Sequence, residues 1–149
     1  GNLKELTLIL DFNGVLEHTT WRSQNANGTW NVTTGPFHGS VEAVERLSKF
    51  YTIVIATAGG VDSAKYIEAF VKKYFPAIED VIYTRRKDLL NCTVQVDDSE
   101  YNLGENNAIP ILFWPLARPN NSQHLQVKDW PTLERVLTQL AIELYKEEV

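Results

Sequence analysis

Four short stretches of the sequence carry side chains suited to moving a phosphoryl group. Asp11-Phe12-Asn13-Gly14-Val15-Leu16 offers a carboxylate that could attack phosphorus and bind a hard cation through its other oxygen. Gly14 permits a tight turn that brings backbone groups close to a ligand. Thr57 offers a hydroxyl and a backbone amide for a phosphoryl oxygen, with Phe12, Gly14 and Ala58 as further substrate contacts. Lys87 offers a positive charge for the same group, whereas its neighbours Arg85 and Arg86 can equally be solvated. Asp97-Asp98 supply carboxylates for Mg2+. Phosphoryl transfer asks for positioning and charge neutralisation more than for covalent machinery, and this set provides both. Each stretch alone is weak, since an Asp that ends a strand is more often a cap or turn residue. The ordered set is what points to chemistry.

The elements needed to gather these residues are legible in the apolar pattern. Continuous apolar runs at Leu6–Leu10, Tyr51–Ala56, Val81–Tyr83, Thr93–Val96 and Ile109–Trp114 predict buried strands. Between them, Val41, Val44, Leu47 and Phe50 recur at helical spacing after Ser40 as N-cap. Ile67, Phe70, Val71 and Tyr74 do the same, with Asp62 as cap and Pro76 as stop. A last helix carries Leu133, Val136, Leu137, Leu140 and Leu144 after Asp129-Trp130-Pro131. Strands alternating with helices imply crossover connections and a mostly parallel sheet, whose ligands sit at the carboxyl ends of the strands. Asp11, Thr57, Lys87, Asp97 and Asp98 all fall at or just beyond such ends.

The polar segment 17–38 breaks the alternation. Thr19–Ser23 and Thr29–Thr33 read as two short strands around Asn27-Gly28, a hairpin flap beside the first strand. Trp21 and Trp30 lie on it, either stacking on a base or packing the hairpin against the domain. The expected organisation is one domain over residues 1–149, with 17–38 as an insertion.

Composition closes several alternatives. The 149 residues carry a net charge of -5, which gives no general pull towards nucleic acid. One cysteine, Cys92, excludes an intrachain disulfide and a cysteine-rich zinc site, and fits a cytoplasmic setting. The three histidines lack metal-ligand spacing, and neither a P-loop nor a Gly-x-Ser-x-Gly elbow is present. No apolar run reaches membrane-spanning length, so no membrane partner is expected. Asn-x-Ser/Thr triplets such as Asn27-Gly28-Thr29 are read as chance, and Gly1 with no Met anywhere points to a processed start.

The order of nucleophile Asp, strand-end Thr, Lys and paired Asp resembles the haloacid dehalogenase-like phosphatases. The segments Ile82-Tyr83-Thr84-Arg85-Arg86-Lys87-Asp88-Leu89 and Val96-Asp97-Asp98-Ser99-Glu100-Tyr101-Asn102-Leu103 resemble the 5'(3')-deoxyribonucleotidase branch. Ile111-Leu112-Phe113-Trp114-Pro115, Asn120 or Asn121, and Val127-Lys128-Asp129-Trp130 continue the likeness. The resemblance implies a three-layer Rossmann-like α/β fold and a Mg2+-dependent phosphomonoesterase acting through an aspartyl-phosphate. It implies Asp11 as nucleophile and metal ligand, the position-13 carbonyl as a second ligand, and Thr57 and Lys87 as phosphate holders. Asp98 would be the direct metal ligand, with Asp97 behind it or sharing the task. The implied partner is a small phosphorylated substrate, a nucleotide above all.

Two departures qualify that expectation. The branch has Asp as general acid/base two residues after the nucleophile, and here Asn13 stands there. An amide cannot exchange that proton at neutral pH, so a slow or inactive enzyme is expected, or a silent phosphate- or nucleotide-binding module. The branch's helical cap is also missing, with only the flap in its place. An open site of this kind would also admit a polynucleotide end or a phosphoprotein.

Overall fold

Leu6–Leu10 is apolar at every position but one, and it forms a central strand of a six-stranded sheet. The computed structural model describes residues 5–59, 61–104, 106–115 and 123–147. In chain order the elements are β1 (Leu6–Leu10), β2 (Glu17–Gln24), β3 (Trp30–Pro36), α1 (Ser40–Leu47), β4 (Tyr51–Thr57) and α2 (Val61–Tyr74). β5 (Asp80–Tyr83), β6 (Val94–Asp97), β7 (Ile109–Phe113), β8 (Leu125–Val127) and α3 (Trp130–Glu147) follow. The sheet runs β5-β4-β1-β6-β7-β8 with every pairing parallel, and β2 and β3 form a separate antiparallel ribbon. This is the expected α/β Rossmann-like architecture with a hairpin.

Register decides where the chemistry gathers. Leu10 lies opposite Ile55 of β4 and Val96 of β6, so Asp11 and Asp97 stand at one level along the carboxyl edge, with Thr57 one residue further along β4. Period-two alternation sorts the strands into faces. Leu6, Leu8, Leu10, Ile53, Ile55, Val94, Val96, Ile111 and Phe113 share one apolar cluster with residues of all three α-helices. The opposite face, with Ile9, Gln95, Asp97 and Leu112, has a thinner cover. The β5–β6 and β6–β7 connections supply it with short 3₁₀ turns at Lys87–Leu89 and Glu100–Asn102. Asn106 ties the two connections together there, donating to the Leu90 carbonyl and the Gln95 side chain at 2.9 Å each.

Several local expectations change. Ser40 is not a cap: Gly39, at φ 82, precedes the helix, and Ser40 Oγ donates back to the Phe37 carbonyl at 2.7 Å. Only a residue without Cβ enters that left-handed region cheaply. Asp62 lies inside the first turn of α2 rather than before it. Asp129 does cap α3, accepting the Thr132 N–H at 2.8 Å. The hairpin is longer than its β-propensity indicated, and its tip is a loop closed by Asn25 N–H on Thr29 O at 2.7 Å. β8 adds a strand that the sequence pattern does not mark, because three residues bounded by polar chain carry little periodicity. Asn120 and Asn121 lie outside the described residues. Among the described residues no helix is long and apolar enough to cross a membrane.

Trp130 locks the C-terminal helix to the site loop. It is fully buried, and its indole Nε1 donates to the Val15 carbonyl at 2.7 Å. Truncation leaves a cavity and an orphaned carbonyl together. Trp130→Ala should therefore cost about 3–5 kcal/mol in denaturant unfolding, whereas a change within 1 kcal/mol would show that α3 is not fastened through this residue.

Candidate active site

Asp11 leaves the end of β1 with its amide still in the ladder, donating to Val96 O at 3.0 Å. Its side chain is buried, and Oδ1 accepts the Phe12 N–H at 2.9 Å. Directly after it the chain folds back on itself, with Leu16 and Glu17 N–H both on the Phe12 carbonyl at 3.0 Å. Gly14 turns at φ +85, and a Cβ there would lie 2.1 Å from Asp98 Oδ2. The glycine is therefore required twice, for its conformation and for the room the Asp98 carboxylate takes.

Lys87 is brought in from the β5–β6 connection. Its buried ammonium donates to Asp11 Oδ1 at 2.7 Å and to Asp97 Oδ2 at 3.2 Å. Asp97 is fixed from its other side by the Ser99 N–H, which donates to its Oδ1 at 2.9 Å. Asp11, Asp97 and Asp98 each place a carboxylate oxygen within 4.8 Å of the others. Four residues from three separate connections thus converge at one point.

The charges do not balance. One ammonium faces three carboxylates in a site largely shut off from water, where unpaired charge is costly. Burial first, then the charge on Asp97, pushes Asp11 from 3.8 up to about 8, with Lys87 pulling the other way. Burial likewise raises Asp97. Burial pulls Lys87 down, but Asp11 and Asp97 more than offset it, so the ammonium holds its proton above the usual lysine range. Oxygen-only donors at close quarters with surplus negative charge suit a hard divalent cation such as Mg2+.

The other expected residues are less concentrated. Thr57 is buried at the end of β4, and its Oγ1 accepts the Gly59 N–H at 3.3 Å, which leaves its own proton to donate. Ala58 is exposed on the loop that follows. Asn13 is exposed beside Gly14, its backbone bridged to Glu17. Phe12, expected at the substrate, turns its ring into the core against Tyr66 and Phe70, so only its backbone borders the site. Trp21 and Trp30 are 56% and 54% exposed and do not pack the hairpin down. Trp21 pairs with Thr33 while Trp30 pairs with Gln24, which puts the two indoles on opposite faces of the ribbon. Arg22 sits over the Trp30 ring at 5.3 Å. Arg86 is tied to Asp88 at 2.8 Å and Arg85 is exposed.

Two supports carried no sequence signal. Asn106 holds the Lys87 connection, and Glu17 anchors the flap by accepting the Tyr66 hydroxyl, which also meets Thr34. Lone Asn residues in loops have no periodicity to betray them.

An aspartate ending the central strand of a parallel sheet, with Lys and paired Asp at neighbouring strand ends, defines a haloacid dehalogenase-like phosphatase domain. Residues 12–141 match the family model "5' nucleotidase, deoxy (Pyrimidine), cytosolic type C protein", and the chain belongs to that family. No curated protein sequence matches it. In fold it is similar to Fcp1, an essential RNA polymerase II CTD phosphatase, with a TM-score of 0.65 and 14% identity over 97% of this chain and 64% of that one. It is also similar to a fission yeast Fcp1 variant bound to beryllium fluoride, with a TM-score of 0.50 and 13% identity over 96% of this chain and 52% of that one. The chain therefore spans just under two thirds of the first structure and about half of the second.

The raised carboxyls set a pH dependence with a definite sign. Between 3.8 and about 8 the folded Asp11 holds a proton that the unfolded chain has lost. Stability in the presence of a chelator should therefore fall as pH rises through that window. Asp97 shifts the same way and adds to the slope. Thermal unfolding in EDTA should show the decline, and Asp11→Asn should flatten it. A midpoint that climbs with pH across the window would contradict the burial of these groups.

Proposed function

We propose that the chain is a Mg2+-dependent phosphomonoesterase of the nucleotidase type, working through an aspartyl-phosphate on Asp11, and slow because Asn13 holds the acid/base position. The observation that carries this reading is the Lys87 ammonium bridging Asp11 and Asp97 at 2.7 and 3.2 Å beside Asp98. Family membership supports the phosphatase class.

Asp11, Asp97 and Asp98 would hold the Mg2+, with the carbonyl of Asn13 as a further oxygen. When bound, the ion would neutralise the surplus carboxylate charge and screen the phosphoryl oxygens. The chain's own groups do the rest. Lys87 keeps Asp11 oriented and offers positive charge to the phosphoryl group, and Thr57 offers its hydroxyl proton and a backbone amide. A carboxylate oxygen of Asp11 attacks phosphorus in line, the bond from phosphorus to the ester oxygen breaks, and the leaving oxygen takes a proton. Water then cleaves the acyl phosphate, returning Asp11 and releasing phosphate. Asn13 can neither give the first proton nor accept the second, so both come from solvent, which costs about 10² to 10⁴ in rate.

Asn13 also favours a second reading, a phosphate- or nucleotide-binding module that keeps the pocket without turnover. The open site would further admit a polynucleotide end or a phosphoprotein. The phosphoprotein option is consistent with the fold's likeness to a CTD phosphatase.

Asn13→Asp should raise Mg2+-dependent phosphate release from nucleoside monophosphates by about 10² to 10⁴, and Asp11→Ala in that background should abolish it. Phosphate release that survives Asp11→Ala would sink the mechanism, and binding without release in both forms would favour the module. Gly14→Ala should weaken Mg2+ binding by about 10- to 100-fold by displacing Asp98, as read by calorimetry. An unchanged isotherm would remove Asp98 from the metal site.

A further inference from the structure

Without a cap, the part of the substrate beyond its phosphate has no obvious seat. We infer that the cleft between the Glu100–Asn102 turn and His124 is a subsite for a planar heteroaromatic ring, the base of a nucleoside monophosphate. The inference rests on the phosphomonoesterase reading of the neighbouring carboxylates. The cleft measures about 540 Å3 and is lined by Glu100, Tyr101, Leu103, Gly104 and His124.

Its position follows from the topology. Asp97 continues the face of β6 that carries Gln95, and the β6–β7 connection crosses that same face, where Asn106 bonds Gln95. The cleft and the carboxylate cluster therefore share one side of the sheet. Tyr101 lines the cleft, is 92% exposed, and stands on the turn that directly follows Asp97 and Asp98 of the cluster.

Its chemistry favours a flat, uncharged ring. An aromatic side chain left in water beside a site offers a π-face for stacking. His124 lies directly on Gly104, where a Cβ would come within 3.1 Å of its ring, so Gly104 leaves that ring its place in the lining. Gly104 also turns at φ +87, a second reason for a residue without Cβ. Leu103 is buried and apolar, and Glu100 can accept a hydrogen bond from a ring N–H. Among the described lining residues, Glu100 is the charged one, and a second phosphate beside it would be repelled.

Calorimetry with Mg2+ tests this on the chain as it stands, using inorganic phosphate, ribose 5-phosphate, uridine 5'-monophosphate and free uridine as ligands. The nucleotide should bind about tenfold or more tightly than ribose 5-phosphate. Tyr101→Ala should erase that margin and the uridine binding, leave phosphate and ribose 5-phosphate unchanged, and be rescued by Tyr101→Phe. Tyr101 is 92% exposed, so its truncation leaves the fold intact, which circular dichroism checks. A margin that survives Tyr101→Ala, or none in the unmodified chain, overturns the subsite. Tyr101-dependent uridine binding with no phosphate binding would uphold the subsite and overturn the phosphatase reading instead.

Discussion

The site hangs on one buried ammonium. Lys87 joins Asp11 at the end of β1 to Asp97 at the end of β6, and it arrives from a connection that begins beyond the sheet's far edge at β5. Two carboxylates at adjacent strand ends would repel one another, and a third, Asp98, lies against Gly14 close by. The lysine makes their proximity tolerable without fully compensating it. That residual imbalance is the physical reason the cluster reads as a cation and phosphate site rather than as a structural ion pair, since a purely structural pair would be built to close its charge.

The rest of the fold is arranged around this constraint. The helices bury the apolar face of the sheet, so the other face can carry Gln95, Asp97 and the connection that delivers Lys87. Trp130 fastens α3 to the turn after Asp11, and Asn106 braces the two crossing connections. The flap is anchored at its base through Glu17, Tyr66 and Thr34, and through His18 stacked on Phe37. Its two exposed tryptophans face opposite ways, so a single ligand could meet only one of them.

The main strands and all three helices were legible because burial imposes a period on the chain, as the runs at Leu6–Leu10 and Tyr51–Thr57 show. The convergence of Asp11, Lys87, Asp97 and Asp98 followed from parallel topology, which puts strand ends on one edge whatever their separation in sequence. The remaining features obey no period. Ser40 bonds backwards rather than capping, because Gly39 already makes the left-handed entry. Phe12 turns inward because it alternates with Asp11 across the sheet, so its neighbour's chemistry says nothing of its own side chain. Asn106 and the Glu17 anchor depend on contacts between segments separated in sequence, which local pattern does not encode.

The role proposed for Asp11 is nucleophilic attack on phosphorus beside a bound Mg2+. Beryllium fluoride, which mimics an acyl-bound phosphoryl group on a carboxylate, tests it without requiring turnover, so Asn13 is no obstacle. Fluorine NMR of the chain with Mg2+ and beryllium fluoride should show bound resonances that vanish with chelator and in Asp11→Asn. Bound resonances that persist in Asp11→Asn, or none at all when calorimetry shows Mg2+ bound, would contradict the account.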